Sequence, residues 1–291
     1  MKQIGKGVFI EDSYPGVTLG ALVMPRGVVM IDAPPRPDDG RAWLADLRKS
    51  TKSKQRLLVN LDSHPDRTLG ARVLDCAVLA HNETLDLFRQ RSSIFKAQGA
   101  DSGADWEGLS GLSGLRWLAP GITFDEQARL HMEGQPVLVT ARPGPEPGAC
   151  WVELPQSKIV FIGDAVMVKQ PPFLAFANLE EWLETLDTLL GRNYKGWKVV
   201  ASRGGVINEK HIRAFRKALA ALHLKLEKIG PRKRGALDAA EKLIPKLLVS
   251  FESPARAKAH HTQRLRYGLK RYLHRNYGTV STAALGESES S

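Results

Sequence analysis

Residues 57–70 read Leu-Leu-Val-Asn-Leu-Asp-Ser-His-Pro-Asp-Arg-Thr-Leu-Gly, and they decide how the rest of this sequence is interpreted. The stretch opens with an apolar run that is typical of a buried strand. Asp62, His64 and Asp66 then follow at alternate positions, and Arg67 comes next. Carboxylate and imidazole groups this close together at the end of a strand are typical ligands of a transition-metal ion. The stretch therefore predicts a site of the metal-binding type.

Composition indicates an ordinary globular protein. The chain has 291 residues, of which 43% are hydrophobic and 25% are charged, enough for one large α/β domain with an extension. No run of about 18 apolar residues occurs, which predicts no membrane span. The first residues lack the apolar core of a signal peptide. Cys76 and Cys150 lie in apolar contexts that favour buried, reduced thiols, so we expect a cytoplasmic protein.

The net charge of +11 belongs to the C-terminal third of the chain. Residues 1–190 carry 20 Lys and Arg against 24 Asp and Glu, whereas residues 191–280 carry 22 against 5. A one-sided positive field of this kind attracts nucleic acid or another polyanion, here through residues 231–277. The alternative is that the basic segments are ordinary solvated helices.

The segment 264–277 bears on the same question, because it alternates three tyrosines with cationic side chains. Aromatic rings beside Lys and Arg suit exposed bases and phosphates. Apolar side chains at helical spacing favour instead a helix that packs on the domain. These residues are Leu265, Leu269, Tyr272 and Leu273.

Apolar periodicity predicts mixed α/β or α+β structure. Strands are predicted over 7–10, 17–23, 27–32, 56–61, 77–80, 128–132, 137–141, 149–154, 159–163 and 198–202. Helices are predicted over 37–50, 83–91, 178–190, 209–228, 236–250 and 254–276. Residues 97–121, rich in Gly, Ser and Asp, are expected to form a mobile loop or a lid.

Three segments are expected along the chain. Residues 1–229 form the main domain, residues 230–280 a basic helical extension, and residues 281–291 a disordered tail. The sequence Gly-Pro-Arg-Lys-Arg-Gly at 230–235 supplies the predicted boundary.

Residues 5–225 resemble the metallo-β-lactamase superfamily. The stretch from Asp62 to Gly70 is similar to the family's metal-binding motif T-H-x-H-x-D-H-x-x-G, with two of the three histidines changed. Residues 159–164, Ile-Val-Phe-Ile-Gly-Asp, resemble its strand-end F-x-G-D motif. The resemblance implies an α/β (α+β) fold in a four-layer αββα sandwich, here with a C-terminal helical extension.

The residues that match the family's metal-binding positions are partly kept. The resemblance implies that Asp62, His64 and Asp164 are the remaining metal ligands and that Asp66 or Asp164 is the catalytic base. Asp32, at the end of an early strand, matches an aspartate that supports the metal-binding loop.

The other positions are lost. Arg67, Pro145 and Arg203 stand where the family has histidines. Proline has no donor atom, although Glu146 beside it could replace the missing ligand. A guanidinium offers only donors and stays protonated, so it cannot bind a metal ion. Arg67 and Arg203 are expected to pair with Asp66 and Asp164 instead.

Three functions follow, and we favour the first. In the first, the protein has lost the dizinc hydrolysis of the family and binds a small anionic ligand with Arg67 and Arg203. Alternatively, it is a metal-dependent hydrolase of an ester, thioester or phosphodiester that uses one Zn, Mn or Fe ion. In the third, the basic C-terminal helices bind nucleic acid. Four aromatic residues are candidates for an apolar pocket, namely Trp106, Trp117, Phe173 and Phe176.

Overall fold

The computed structural model describes residues 1–96, 101–232 and 234–278, and two mixed β-sheets form the centre of the molecule. The first sheet has seven strands in chain order: β1 (Lys2–Gly5), β2 (Val8–Glu11), β3 (Leu19–Met24), β4 (Gly27–Ile31), β5 (Arg56–Val59), β6 (Ala77–His81) and β7 (Ile122–Phe124). The second has six: β8 (Gln127–Leu130), β9 (Val137–Ala141), β10 (Cys150–Leu154), β11 (Ile159–Phe161), β12 (Lys198–Ala201) and β13 (Gly205–Ile207).

The described residues form the α-helices α1 (Pro37–Ser50), α2 (Pro65–Thr68), α3 (Asn82–Gln90), α4 (Leu179–Leu189), α5 (Glu209–Ile229), α6 (Ala236–Glu241), α7 (Ile244–Ser250) and α8 (Lys258–Tyr277). Short 3₁₀ helices occur at Ala71–Leu74, Asp105–Gly108, Gly163–Ala165, Arg192–Tyr194, Gly230–Arg232 and Ala255–Ala257.

Three hydrophobic clusters define four layers. One cluster lies between the sheets, where Val29 and Ile31 of the first sheet meet Val152 and Phe161 of the second. Another packs α1 on the outer face of the first sheet. The third and largest packs α4, α5 and the C-terminal helices on the outer face of the second sheet. The predicted four-layer αββα sandwich with a C-terminal helical extension is therefore confirmed.

The strands predicted over 17–23 and 27–32 correspond to β3 and β4 of the first sheet. β3 and β4 pair antiparallel, with Met24 opposite Gly27, so Pro25 and Arg26 form the turn. Gly20 in β3 is required by the contact between the sheets, since a Cβ atom there would lie 2.6 Å from the Phe161 ring.

Two helix starts follow from capping side chains. The Asn178 side chain accepts a hydrogen bond from the backbone N–H of Glu181 at 3.3 Å and begins α4. Asn208 and His211 form a reciprocal capping box at the start of α5. Both caps satisfy N–H groups that have no partner inside the helix.

The C-terminal part differs in detail from the prediction. The helix expected over 236–250 is two helices, α6 and α7, because Pro245 at the first turn of α7 cannot donate to a preceding helical turn. The helix expected from residue 254 begins only at Lys258, after the 3₁₀ turn Ala255–Ala257. The strands β1, β7 and β13 were not predicted, since three or four residues carry too little periodicity.

The segment expected to form a mobile loop or lid is anchored in the core at two points of its described part, 101–121. Trp106 and Leu112 are buried there and belong to the largest hydrophobic cluster. Residues 97–100 lie outside the described residues, as does the tail predicted over 281–291.

The C-terminal helices share their hydrophobic core with the domain. Leu265, Leu269 and Leu273 of α8 are fully buried in the same cluster as Trp182 of α4. At the end of α5, Gly230 lies so close to the Tyr277 ring that a Cβ atom would be 2.3 Å from it. The apolar face of the basic segment therefore packs on the domain.

Two of the cations in that segment are used inside the protein. Arg264 is buried, and Arg275 donates to the backbone carbonyl groups of Ala175, at 3.0 Å, and Ala177. Within the described ranges, no helix is long and apolar enough to cross a membrane.

We expect Leu269→Ala to lower the free energy of unfolding by about 2–5 kcal/mol, because the side chain is fully buried where α8 meets the domain. Leu224→Ala on α5 is the matched control, since Leu224 is 62% exposed; its effect should stay within about 0.5 kcal/mol. Urea denaturation measures both. Equal effects would contradict a shared core.

Candidate functional site

The predicted site residues meet at one edge of the sandwich. Asp32 follows β4, Asp62 follows β5, Asp164 follows β11 and Arg203 follows β12. β4 and β5 are parallel neighbours in the first sheet, and β11 and β12 are parallel neighbours in the second. Because parallel neighbours end at the same edge of a sheet, each sheet delivers its polar residues to one place.

The turn from Asp62 to Asp66 is held by its own side chains. Asp62 Oδ1 accepts the backbone N–H of His64 at 2.8 Å, and His64 Nδ1 accepts the N–H of Asp66 at 3.2 Å. Pro65 occupies the first position of α2, where a missing N–H costs nothing. Since Nδ1 is an acceptor, the neutral His64 ring is assigned its proton on Nε2.

Arg67 lies at the centre of the site and is fully buried. Its Nη2 is 2.6 Å from Asp164 Oδ2 and its Nε is 3.1 Å from Asp62 Oδ1. Nη1 donates to Ser202 Oγ at 2.9 Å and lies 3.6 Å from Asp32 Oδ2. One guanidinium is thus surrounded by three carboxylates, none of which is exposed.

Arg203 forms the second half of the ion-pair cluster. Its Nη2 donates to Asp66 Oδ2 at 2.5 Å, its Nε to Asp164 Oδ2 at 3.2 Å, and its Nη1 to Asp105 Oδ2. The guanidinium also lies over the Phe173 ring, 4.7 Å from the centroid. Asp164 Oδ2 therefore forms ion pairs with both Arg67 and Arg203.

Asp66 and Asp32 also hold backbone. Asp66 accepts the N–H of Trp106 at 2.6 Å and that of Asp105 at 3.3 Å, which fixes the 101–121 segment at the site. Asp32 has a left-handed backbone with φ of 60° and accepts the N–H of Leu61 at 2.9 Å. It thereby supports the loop that carries Asp62.

Burial and charge shift the pKa values in the cluster. Burial raises the pKa of Asp32 to about 7, although Arg67 opposes this. Burial also favours the neutral form of Asp164, but Arg203 and Arg67 outweigh it and hold the pKa of that carboxyl below its usual range. Burial and Arg203 lower the pKa of His64 well below its ordinary value, so the imidazole is neutral.

Comparison with known proteins identifies the family of this chain. A model described as the metallo-beta-lactamase superfamily matches residues 23–195, more than half of the chain. The chain belongs to the metallo-β-lactamase superfamily. The match includes both the strand end after β5 and the strand end after β11.

Solved structures with the same fold include two informative examples. A metallo-β-lactamase from Pontibacter korlensis is 21% identical with a TM-score of 0.61, over 75% of this chain and 97% of that chain. The stereoselective inverting sec-alkylsulfatase Pisa1 from Pseudomonas sp. is 14% identical with a TM-score of 0.67. That match covers 98% of this chain but only 51% of the sulfatase. A search of curated proteins finds no significant match.

The residues predicted to bind metal are brought together, but one side-chain oxygen or nitrogen of each already faces another group. Asp62 Oδ1 and Asp164 Oδ2 face guanidinium groups, and His64 Nδ1 accepts a backbone N–H. Asp164 Oδ1 is buried without a hydrogen-bond partner. Across the described ranges, no group of three or more His, Cys, Asp or Glu side chains is arranged to hold a metal ion.

A cavity of about 340 Å³ adjoins the ion-pair cluster. All four aromatic residues predicted for an apolar pocket line it. Its lining includes Ser63, His64, Arg91, Ile94, Phe95, Lys96, Trp106, Trp117, Glu146, Phe173, Phe176, Arg264, Tyr267 and Gly268.

The predicted role of Arg67 and Arg203 as ligand-binding residues stays a prediction, and the structure places neither of them at this cavity. Both side chains are buried, both are paired with carboxylates, and neither lines the cavity. Glu146 does line it and is 8% exposed. Burial and the nearby Asp62 raise the pKa of Glu146 to about 8.

Helix α8 reaches the same site through Arg264. Its Nε donates to the carbonyl of Gly103 at 2.8 Å and its Nη1 to Gln170 Oε1 at 2.7 Å. Nη2 is 3.3 Å from Asp105 Oδ2, and the guanidinium lies 4.1 Å from the Phe173 centroid. Burial and Arg203 lower the pKa of Arg264 to about 10.

Sequence reasoning missed Asp105, Arg91 and Arg264. Asp105 lies in a segment predicted to be loop, and its partner Arg203 is 98 positions away. Arg264 looked like one cation among many. The sequence feature that could have indicated the burial of Arg264 is its position beside Leu265, at the edge of the apolar face of α8.

We expect Arg67→Ala to lower the free energy of unfolding by roughly 3–5 kcal/mol, because it leaves buried carboxylates without a counter-charge. Arg216→Ala on α5 is the control, since Arg216 forms an exposed pair with Asp187. It should cost no more than about 1 kcal/mol. Similar losses in the two variants, measured by urea denaturation, would contradict a buried cluster.

We expect Glu146→Gln to stabilise the protein more at pH 8.5 than at pH 5. The folded pKa is raised to about 8, so the stability linked to the bound proton is full at low pH and is lost as the pH rises through about 8. Urea denaturation across this range measures the difference from the natural protein. Glu133→Gln, at an exposed position, controls for the substitution itself. A difference that does not change with pH would contradict the raised pKa.

Proposed function

We propose that this metallo-β-lactamase-fold protein has replaced the dizinc site of its family with an internal ion-pair cluster and binds a small anionic ligand in the adjoining cavity. The observation that carries the proposal is Arg67, which is fully buried and lies within 3.1 Å of Asp62 and Asp164. A permanent cation stands beside the residues that would otherwise hold a metal ion.

The charges support a site without metal. A guanidinium donates hydrogen bonds but has no lone pair for a metal ion. A divalent cation beside Arg67 and Arg203 would have to compete with two fixed positive charges for Asp164. Pro145 adds no ligand in place of the third lost histidine. The residues present therefore do not fit a dizinc centre.

The single-metal hydrolase remains the alternative. It would use Asp62, His64 and Asp164, with one Zn, Mn or Fe ion. We favour it less because two of these side chains already face arginines and the third caps α2 through Nδ1.

An anionic ligand is favoured by the charges that line the cavity. Arg91, Lys96 and Arg264 line it. Among the described lining residues Glu146 is the acidic one, and its pKa of about 8 leaves it mostly neutral at neutral pH. The cavity therefore carries a positive charge that a ligand can neutralise.

Free thiols at Cys76 and Cys150 fit a reducing compartment, so we propose a cytoplasmic location.

We expect the untagged protein to retain less than about 0.1 equivalent of Zn, Mn or Fe after incubation with each metal and gel filtration, measured by plasma mass spectrometry. The reason is that arginines neutralise the carboxylates that a cation needs. About one equivalent of metal, lost in His64→Ala but kept in His131→Ala, would overturn the proposal and favour the single-metal hydrolase. His131 is the control because it is an exposed histidine away from the cluster.

A further inference from the structure

We propose that the cavity binds an amphipathic organic anion, with its oxyanion head beside Arg91 and its hydrophobic body among the aromatic side chains. This inference rests on the proposed function, since it assumes an anionic ligand, and it adds the chemical class of that ligand and its orientation.

Arg91 is a cation of the cavity that forms no ion pair with a carboxylate among the described residues. Its Nη1 donates to the carbonyl of Ser63 at 2.8 Å and its Nη2 to Ser63 Oγ at 3.2 Å. Its guanidinium lies over the rings of Phe88 and Trp117, at 5.1 and 4.8 Å from their centroids. A largely buried guanidinium held this firmly, with neutral partners, is poised to pair with an oxyanion.

A second donor faces the same space. His64 lines the cavity, and its Nδ1 accepts the N–H of Asp66, which leaves the proton on Nε2. Ser63, which orients Arg91, immediately precedes this histidine. Because Arg91 donates to Ser63 and His64 follows Ser63 in the chain, the guanidinium and the imidazole belong to neighbouring parts of the cavity lining. We place the carboxylate, sulfonate or phosphate oxygen of the ligand there.

Aromatic side chains form another part of the cavity lining. Phe95 and Trp106 pack edge to face with centroids 4.8 Å apart, and Phe173 lies against the His64 ring at 4.6 Å. Phe176 and Ile94 also line the cavity and are 46% and 41% exposed. A hydrophobic ligand would cover both.

Helix α8 supplies one wall and limits the size of the ligand. Tyr267 and Gly268 line the cavity. Gly268 is needed for this approach, because a Cβ atom there would lie 3.0 Å from the side chain and 3.1 Å from the backbone nitrogen of Leu174. The volume of about 340 Å³ is at the lower end for small-molecule sites, which suits a compact aromatic or branched body.

Isothermal titration calorimetry of the full chain tests the proposal with four probes: naphthalene-2-carboxylate, decanoate, the neutral naphthalene-2-carboxamide and acetate. We expect one or both amphipathic anions to bind at least tenfold more tightly than the carboxamide and than acetate. Arg91→Gln should weaken the anions about tenfold and leave the carboxamide unchanged. Arg89→Gln, at an exposed position in α3 two residues before Arg91, should change nothing.

The outcomes separate this inference from the proposed function. Acetate binding as tightly as naphthalene-2-carboxylate and decanoate would overturn the hydrophobic part and leave anion binding intact. Equal affinity for the carboxamide would overturn anion recognition, and the proposed function with it. No binding of either amphipathic anion would also overturn the inference. The comparison of probes on the natural protein decides the matter even if Arg91→Gln does not fold.

Phe176→Ala gives an independent measure of the hydrophobic contact. Because Phe176 is exposed, its loss should not disturb the fold. We expect it to weaken naphthalene-2-carboxylate and the carboxamide by the same factor, a few-fold. Unchanged affinity for both would contradict the placement of the hydrophobic body beside Phe176.

Discussion

The contact between Arg67 and Asp164 links the two sheets, and much of the site depends on it. Arg67 lies in α2, after β5 of the first sheet, and Asp164 follows β11 of the second sheet. Arg67 Nη2 and Asp164 Oδ2 lie 2.6 Å apart. Arg203 joins the same carboxylate oxygen and extends the cluster to Asp66 and Asp105. In a buried environment such charges are tolerated only when every one has a partner. The fold therefore specifies these residues as a set, and not one at a time.

Much of the fold was predictable from sequence because strong periodicity and clear capping residues coincide. The helix over 37–50 begins with Pro37 where proline is favoured, and α4 begins after the cap Asn178. The family motifs placed Asp32, Asp62 and Asp164 at neighbouring strand ends. What escaped prediction were short strands such as β13 and the break before Pro245, which depend on tertiary packing and on one residue.

The site was predictable only as far as neighbours in sequence define it. The pairing of arginines with aspartates followed from charge, but which oxygen meets which guanidinium depends on how two sheets face each other. Asp105 and Arg264 join the cluster from segments 159 positions apart, so no local pattern indicates their contact. The cavity beside them is formed by the same long-range packing, because its lining combines Arg91, Phe173 and Gly268 of α8.

The position of Arg264 has a consequence for how the protein unfolds. Its hydrogen bond to Gly103 joins residues 161 positions apart, and a Cβ atom at Gly103 would lie 2.5 Å from the α8 backbone. Closing so long a loop is entropically costly, and the contact is gained only when both partners are in place. Helix α8 and the 101–106 segment should therefore unfold and refold as one cooperative unit, and their amide hydrogens should exchange with solvent together.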